Sequence, residues 1–316
     1  GSNIRIDSRG GAVMRVLPVI NEEINEEWIS DKARFACDGL RRQRLDQPYL
    51  RRDDKLVPVS WPEAFEAIAE RVSATTSERI AAIAGDLADC EAMAALGDLM
   101  DALGTPHVDC RQDGARLDAA SRSGYLFNTT IQSIEQADAC LLIGTNPRWE
   151  APLINARLRK CALAGDFRVG VVGPVPDLTY SVDHLGAGPQ TLAEIARGDH
   201  PFRAVLDGAE RPMLILGPGA VARVDGASIL AIACKIAETT GMTDRDWNGF
   251  NVLHRAASRV GGLDLGLVPR SGGQDVAGIG LAPAEQGGDA GAQLGAGDGL
   301  HHVVVGAAVK GSQDGG

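Results

Sequence analysis

Six cysteines are the side chains of this 316-residue chain best suited to metal or redox chemistry, and their spacing argues against that use. They stand at positions 37, 90, 110, 140, 161 and 234, none closer than twenty residues to the next. Zinc ribbons, thiol–disulfide motifs and short-spaced iron–sulfur sites need thiolates a few positions apart, so that one turn delivers two ligands to one ion. Isolated cysteines instead behave as small core hydrophobes in a reducing compartment, and Cys110 is read in that way. His107, His184, His200 and His254 show no HxH or HxxxH spacing, and His301-His302 lies in a glycine-rich end. Each reads as a surface or capping histidine. Glu22-Glu23 and Glu26-Glu27 form an acidic cluster without a partner motif, hence a solvated or contacting face. With no Ser/His/Asp arrangement and no nucleophile elbow, no catalytic residue and no metal ligand is assigned.

Two glycine turns remain as ligand candidates. Gly144-Thr145-Asn146-Pro147 follows the apolar run 139–143, at the strand end where α/β folds bind ligands. The competing reading is that Gly144 and Pro147 only shape a strand-to-helix turn. Gly217-Pro218-Gly219 follows a second apolar run but lacks the further glycine of the dinucleotide fingerprint. A free-standing nucleotide-binding module would rest on these two turns alone.

The elements that must position these residues follow from periodicity. Residues 1–52 read as short strands and turns, with a hairpin signal where alternating Ile4, Ile6, Val13 and Leu17 are interrupted by Gly10-Gly11. This stretch is too short to build its own core, so Trp28 and Phe35 are expected to be buried against the rest of the chain. Ser60-Trp61-Pro62-Glu63 is a capping box opening a helix of Phe65, Ile68 and Val72. Strands are expected at 80–84, 139–143, 168–172 and 212–216. Helices are expected from near Asp89 to Gly104 and over 153–163, 227–237 and 247–260. Short apolar strands alternating with helices predict an α/β fold with a mostly parallel, Rossmann-like sheet flanked by helices and a small N-terminal β-rich layer. Residues 261–316 hold 17 of the 39 glycines and no Phe, Tyr or Trp, and are expected to be a poorly ordered tail.

Bulk properties narrow the partners. The formal charge is −11, and the basic stretch Arg41, Arg42 and Arg44 with Arg51 and Arg52 is diluted by Asp46, Asp53 and Asp54, which disfavours nucleic acid. No apolar run reaches the length of a membrane span, so direct membrane insertion is not expected.

Three stretches carry a family resemblance. Residues 13–18 (Val-Met-Arg-Val-Leu-Pro) and 25–35 (Asn-Glu-Glu-Trp-Ile-Ser-Asp-Lys-Ala-Arg-Phe) are similar to the large iron–sulfur subunit of NADH:quinone oxidoreductase, respiratory complex I. Residues 38–45 followed by Ser60-Trp61 resemble the opening of molybdopterin oxidoreductases. Residues 127–131, 142–148, 150–152, 178–180 and 183–186 again resemble the complex I protein. The resemblance runs from residue 1 to roughly 275. It implies a molybdopterin-oxidoreductase-like fold, divided as a remnant of a 4Fe–4S domain at 1–52, the α/β domain at 53–260 and the tail at 261–316. It also implies a scaffold role beside other hydrophilic-arm subunits, peripheral on the cytoplasmic side of the inner membrane. The 4Fe–4S and 2Fe–2S clusters of the parent protein are expected upstream of this chain, and no cofactor within it. The resemblance further places Ser30 where relatives with a cluster have a fourth cysteine, and makes Gly144, Thr145, Asn146 and Pro147 vestigial pterin-loop candidates. The alternative it leaves is a molybdopterin-dependent oxidoreductase domain that binds a pterin nucleotide.

Overall fold

The computed structural model describes residues 1–275 apart from Gln43 and Arg245. Contacts divide the described residues into two compact units, one of residues 1–40 and 115–255, the other of 41–114 and 256–275. Both units are assembled from separated stretches of the chain.

The first unit is built on a five-stranded parallel sheet in the spatial order Phe250–Val252, Pro212–Leu216, Ala139–Ile143, Arg168–Val172, Asp183–Gly186. Every residue of Ala139–Ile143 and Pro212–Leu216 is buried. Such unbroken apolar strands belong in a parallel sheet covered on both faces. The cover comes from helices that include Pro152–Ala164, Pro189–Arg197, Phe202–Gly208 and Gly226–Thr239. Cys140, Leu142, Leu158, Val171, Met213 and Ile215 meet in one core cluster. Burial is worth about 1.5–3 kcal/mol for each large aliphatic side chain in it. Gly170 is needed within its strand, since a Cβ there would lie 2.6 Å from the Phe202 ring.

Ahead of the sheet, Ile4–Arg9 and Ala12–Pro18 form the antiparallel hairpin that the alternation predicts. Gly10 (φ 55°) and Gly11 (φ 73°) supply the two positive φ angles that a tight hairpin turn requires. Buried Asn25 then gathers the following loop. Its Nδ2 donates to the carbonyls of Val19, Glu26 and Trp28 at 3.0, 3.2 and 3.1 Å, and its Oδ1 accepts from Asn3 N–H at 2.8 Å.

In the second unit Ala81–Ile83 and His107–Asp109 pair in parallel. The helix Cys90–Leu103 opens on Asp89, which accepts from Ala92 N–H at 2.7 Å, and closes on Gly104 at φ 66°. The helix Trp61–Ser73 opens on Ser60, which accepts from Glu63 N–H at 3.4 Å, one half of the expected capping box, while the Glu63 carboxylate pairs with Arg52.

The α/β class therefore stands, with three local corrections. No helix spans 247–260: Phe250–Val252 is a buried edge strand and only Arg259–Asp264 is helical. Asn251 deceives the periodicity, because it is a polar residue buried inside a three-residue strand, satisfied by Thr129 and the Gly249 carbonyl. Second, the glycine-rich stretch is not loose from its start. Leu263 and Leu267 are buried, and a Cβ on Gly262 would lie 2.7 Å from that of Cys110, so the glycines there permit close packing. The rest of the expected tail, from 276, lies outside the described residues. Third, Trp28 and Phe35 are not buried but 57% and 60% exposed, because polar contacts rather than these rings hold their segment in place.

Candidate functional site

The two glycine turns lie side by side at the C-terminal ends of neighbouring strands. Gly217 N–H donates to the Ile143 carbonyl and Gly144 N–H to the Val172 carbonyl, both at 2.9 Å, which carries the sheet ladder into the turns. Gly144 has φ 57°, and a Cβ on it would lie 2.6 Å from the Ala220 nitrogen. A Cβ on Gly219 would lie 2.7 Å from the Gly144 carbonyl oxygen, and one on Gly217 would strike the Thr145 side chain. The glycines thus let one turn touch the other. On the sides where the turns meet, each fills the space that a side chain on the other would take.

The other members of the first turn have local partners as well. Asn146 caps the short helix Pro147–Glu150 by accepting from Arg148 N–H at 3.2 Å, and Pro147 is buried at its first position. Thr145 Oγ1 donates to Glu150 Oε2 at 2.5 Å, while Arg255 reaches Glu150 Oε1 at 3.3 Å. A crevice of about 470 Å³ in this unit, lined by Phe167, Arg168, Tyr180 and Asp183 among others, opens at the start of the strand Arg168–Val172, the end opposite the glycine turns.

Ser30 has structural work of its own. It is the N-cap of the helix Asp31–Phe35, accepting from Ala33 N–H at 3.2 Å. Cys37, the nearest cysteine, points its thiol at the Arg34 carbonyl at 3.8 Å. Cys110 is 2% exposed, and burial pushes its thiol up to about 11, which disfavours the thiolate that a metal would need. Burial raises Cys140 as well, and Cys161 Sγ faces the Ile134 carbonyl at 3.5 Å. Among the described residues no three His, Cys, Asp or Glu side chains are grouped as ligands of one ion would be.

The histidines are held by local backbone. His184 Nε2 lies 3.0 Å from the Gly173 carbonyl, His254 Nε2 2.6 Å from that of Tyr125, and His200 Nδ1 accepts from Phe202 N–H at 3.1 Å. His107 has partners on both nitrogens. His301 and His302 lie outside the described residues. The acidic cluster is partly engaged: Glu26 pairs with Lys160 at 2.6 Å, and the Glu22 carbonyl accepts from Arg157 at 2.6 Å. Sequence reading misses Arg157, whose signal is an arginine on the same helix face as the buried Ile154 and Leu158.

Comparison with known proteins gives the setting for this geometry. The family described as Molybdopterin oxidoreductase matches residues 44–280, and the one described as NADH-ubiquinone oxidoreductase NDSU1/NuoG-like, 4Fe-4S domain matches residues 1–38. The chain is 49% identical over 272 residues to a mitochondrial NADH dehydrogenase [ubiquinone] iron-sulfur protein 1 of Solanum tuberosum, covering 86% of this chain and 37% of that protein. It is 48% identical over 267 residues to the G subunit of an NADH-quinone oxidoreductase of Rickettsia bellii, covering 84% of this chain and 39% of the relative. The chain thus spans about two fifths of the length of these relatives. A solved formyltransferase/hydrolase complex from Methylorubrum extorquens, in complex with methylofuran, is similar with TM-score 0.49 and 19% identity, over 71% of this chain and 66% of that one. The chain belongs to the molybdopterin oxidoreductase family and, within it, to the kind represented by the G subunit of NADH-quinone oxidoreductase.

Proposed function

We propose that this chain is a structural part of an NADH:quinone oxidoreductase iron–sulfur subunit and holds no cofactor of its own. The observation that carries the reading is the mutual closure of the turns at Gly144 and Gly217. That contact accounts for the glycines at both turns without a ligand, which removes the main sequence signal for a pterin nucleotide there. Ser30 as a helix cap and Cys110 as a buried thiol agree with that reading. The parent enzyme would pass electrons from NADH to quinone and couple this to ion translocation, with the 4Fe–4S and 2Fe–2S clusters in other parts of the iron–sulfur protein. This chain would serve by packing against hydrophilic-arm subunits on the cytoplasmic side of the membrane. None of the described helices is long and apolar enough to cross a membrane, so attachment would come through those partners.

The test is metal and pterin analysis of the purified chain before and after incubation with iron, sulfide and molybdopterin, with NADH oxidation measured in parallel. The expected result is no stoichiometric iron, molybdenum or pterin and no turnover above the buffer blank. About one pterin per chain would establish the molybdopterin-dependent alternative, and about one 4Fe–4S signal per chain would overturn the assignment of Ser30.

A further inference from the structure

We propose that His107 is a proton-sensitive clasp fastening Gln274, just beyond the turn at Arg270–Gly273, to the second unit. Its two ring nitrogens have partners of opposite kind. Nδ1 accepts from the backbone N–H of Gln274 at 3.0 Å. Nε2 lies 3.1 Å from the carbonyl oxygen of Glu78. A backbone N–H can only donate, so Nδ1 must present its lone pair. A carbonyl can only accept, so Nε2 must carry the hydrogen. Only the neutral imidazole protonated at Nε2 satisfies both. A second proton at Nδ1 would set N–H against N–H, remove the bond to Gln274 and leave the one to Glu78 intact.

The surrounding backbone confines the effect to a short segment. Arg270 is fastened independently: its N–H donates to the Pro106 carbonyl at 3.0 Å and its guanidinium pairs with Asp101. Beyond it come Gly272, at φ 80°, and Gly273, whose Cα approaches the Pro106 carbonyl so closely that a Cβ would collide with it. Gly273 N–H also donates to the Arg270 carbonyl at 2.7 Å, so the turn through Gly272 and Gly273 is closed on Arg270 and the His107 bond latches only the residue that follows, Gln274. The charged groups around the ring are Glu78 and Arg79 on the turn that meets Nε2, the Arg270–Asp101 pair, and Asp275 beside Gln274. The Gln274 N–H, which can only donate, faces Nδ1 directly and leaves no acceptor there for a second ring proton. The latch is therefore closed while the ring is neutral and opens as pH falls through the imidazole titration.

The test follows the His107 ring nitrogens and the Gln274 amide by NMR in the full 316-residue chain, from about pH 8 down to about pH 5, where imidazole changes charge. The expected outcome is the Nε2–H tautomer at the alkaline end. The Gln274 amide shift should then share the midpoint of the ring. Its hydrogen exchange, corrected for the intrinsic rate, should rise about fivefold on protonation, the factor that one net hydrogen bond corresponds to. H107N keeps an acceptor near the Nδ1 position without titrating, and should hold Gln274 protected across the range. H107F lacks the acceptor and should leave it open throughout. A Gln274 midpoint unrelated to that of His107, or equal protection of the wild type at both ends, would overturn the proposal. That wild-type titration decides even if H107F does not fold.

Discussion

Arg157 projects from the helix Pro152–Ala164 with its side chain only 5% exposed, and its guanidinium is divided among several acceptors. It reaches Glu135 Oε1 at 2.5 Å, the Glu22 carbonyl at 2.6 Å and the Ile24 carbonyl at 3.4 Å, with Glu26 Oε1 at 3.9 Å. One buried cation thereby ties the N-terminal layer to the helix that covers the sheet. Removing one partner of a buried ion pair costs about 3–5 kcal/mol, less where the remaining carboxylate can be hydrated. Arg157→Met should therefore cost about 2–3 kcal/mol in urea melts, since Glu135 keeps contact with water. The same network sets an acid limb. Burial alone would raise the Glu135 carboxyl, but hydrogen bonds from Lys160 and Arg157 outweigh it and hold the carboxyl below its ordinary range. A carboxylate with a depressed folded-state value contributes stability above its unfolded value, and that stability is lost as pH falls through the folded one. The prediction is that Glu135→Gln flattens the acid limb of the stability profile, and an unchanged limb would remove Glu135 from its cause. Thiol reactivity gives a further residue-level prediction. Cys90 is exposed, whereas burial raises Cys110 and Cys140. In the native chain at mildly alkaline pH a thiol reagent should label Cys90 first and leave the other two until unfolding.

At the scale of elements, the turns after Ala139–Ile143 and Pro212–Leu216 behave as one packed unit. Gly144→Ala meets both a positive φ and the Ala220 backbone, so about 1–2 kcal/mol of backbone strain adds to about 1–3 kcal/mol of overpacking. Gly217→Ala strikes Thr145 from the opposite side. Because both enlarge one contact, the double variant should lose less stability than the sum of the single losses, by about 0.5 kcal/mol or more on the usual scale for touching sites. Additive losses in a double-mutant cycle would mean that the turns do not share their space. Much of this level is legible in the sequence. The strands at 139–143, 168–172 and 212–216 are unbroken apolar runs, and Ser60, Asp89 and Gly104 announce helix ends by chemistry that acts within four residues. What escapes is what depends on distant partners. Asn251 takes its place in an edge strand from Thr129, far away in sequence, and Gly261 and Gly262 look like loop glycines until they are seen against Cys90 and Cys110. The turn at Gly144 is visible in the sequence, but its reason for having glycine lies in a second turn more than seventy residues further on.

For the molecule as a whole, the placement of large apolar side chains differs from that of a finished globule. Ile20, Trp28 and Phe35 in the N-terminal layer and Trp61 and Phe65 in the helix Trp61–Ser73 are all exposed. The sheet core, by contrast, holds Leu141, Leu142, Leu214 and Ile215 at complete burial. Truncating a buried leucine or isoleucine costs about 2–5 kcal/mol, because transfer and cavity terms add. At an exposed position neither term operates in full, and substitutions there usually stay within about 0.5 kcal/mol. Trp28 lies between these limits, since its backbone carbonyl accepts from Asn25 and that bond survives truncation of the ring. Trp28→Ala and Phe35→Ala should therefore each cost about 1 kcal/mol or less in denaturant melts of the isolated chain. Leu142→Ala should cost several times more in the same melts. The comparison separates two accounts of residues 1–40. If the layer were held on by its aromatic side chains, Trp28→Ala would cost as much as a core truncation. If it is held by Arg157, Asn25 and the hairpin, the aromatic losses stay small and Arg157→Met dominates. A Trp28→Ala loss above about 3 kcal/mol would sink the second account.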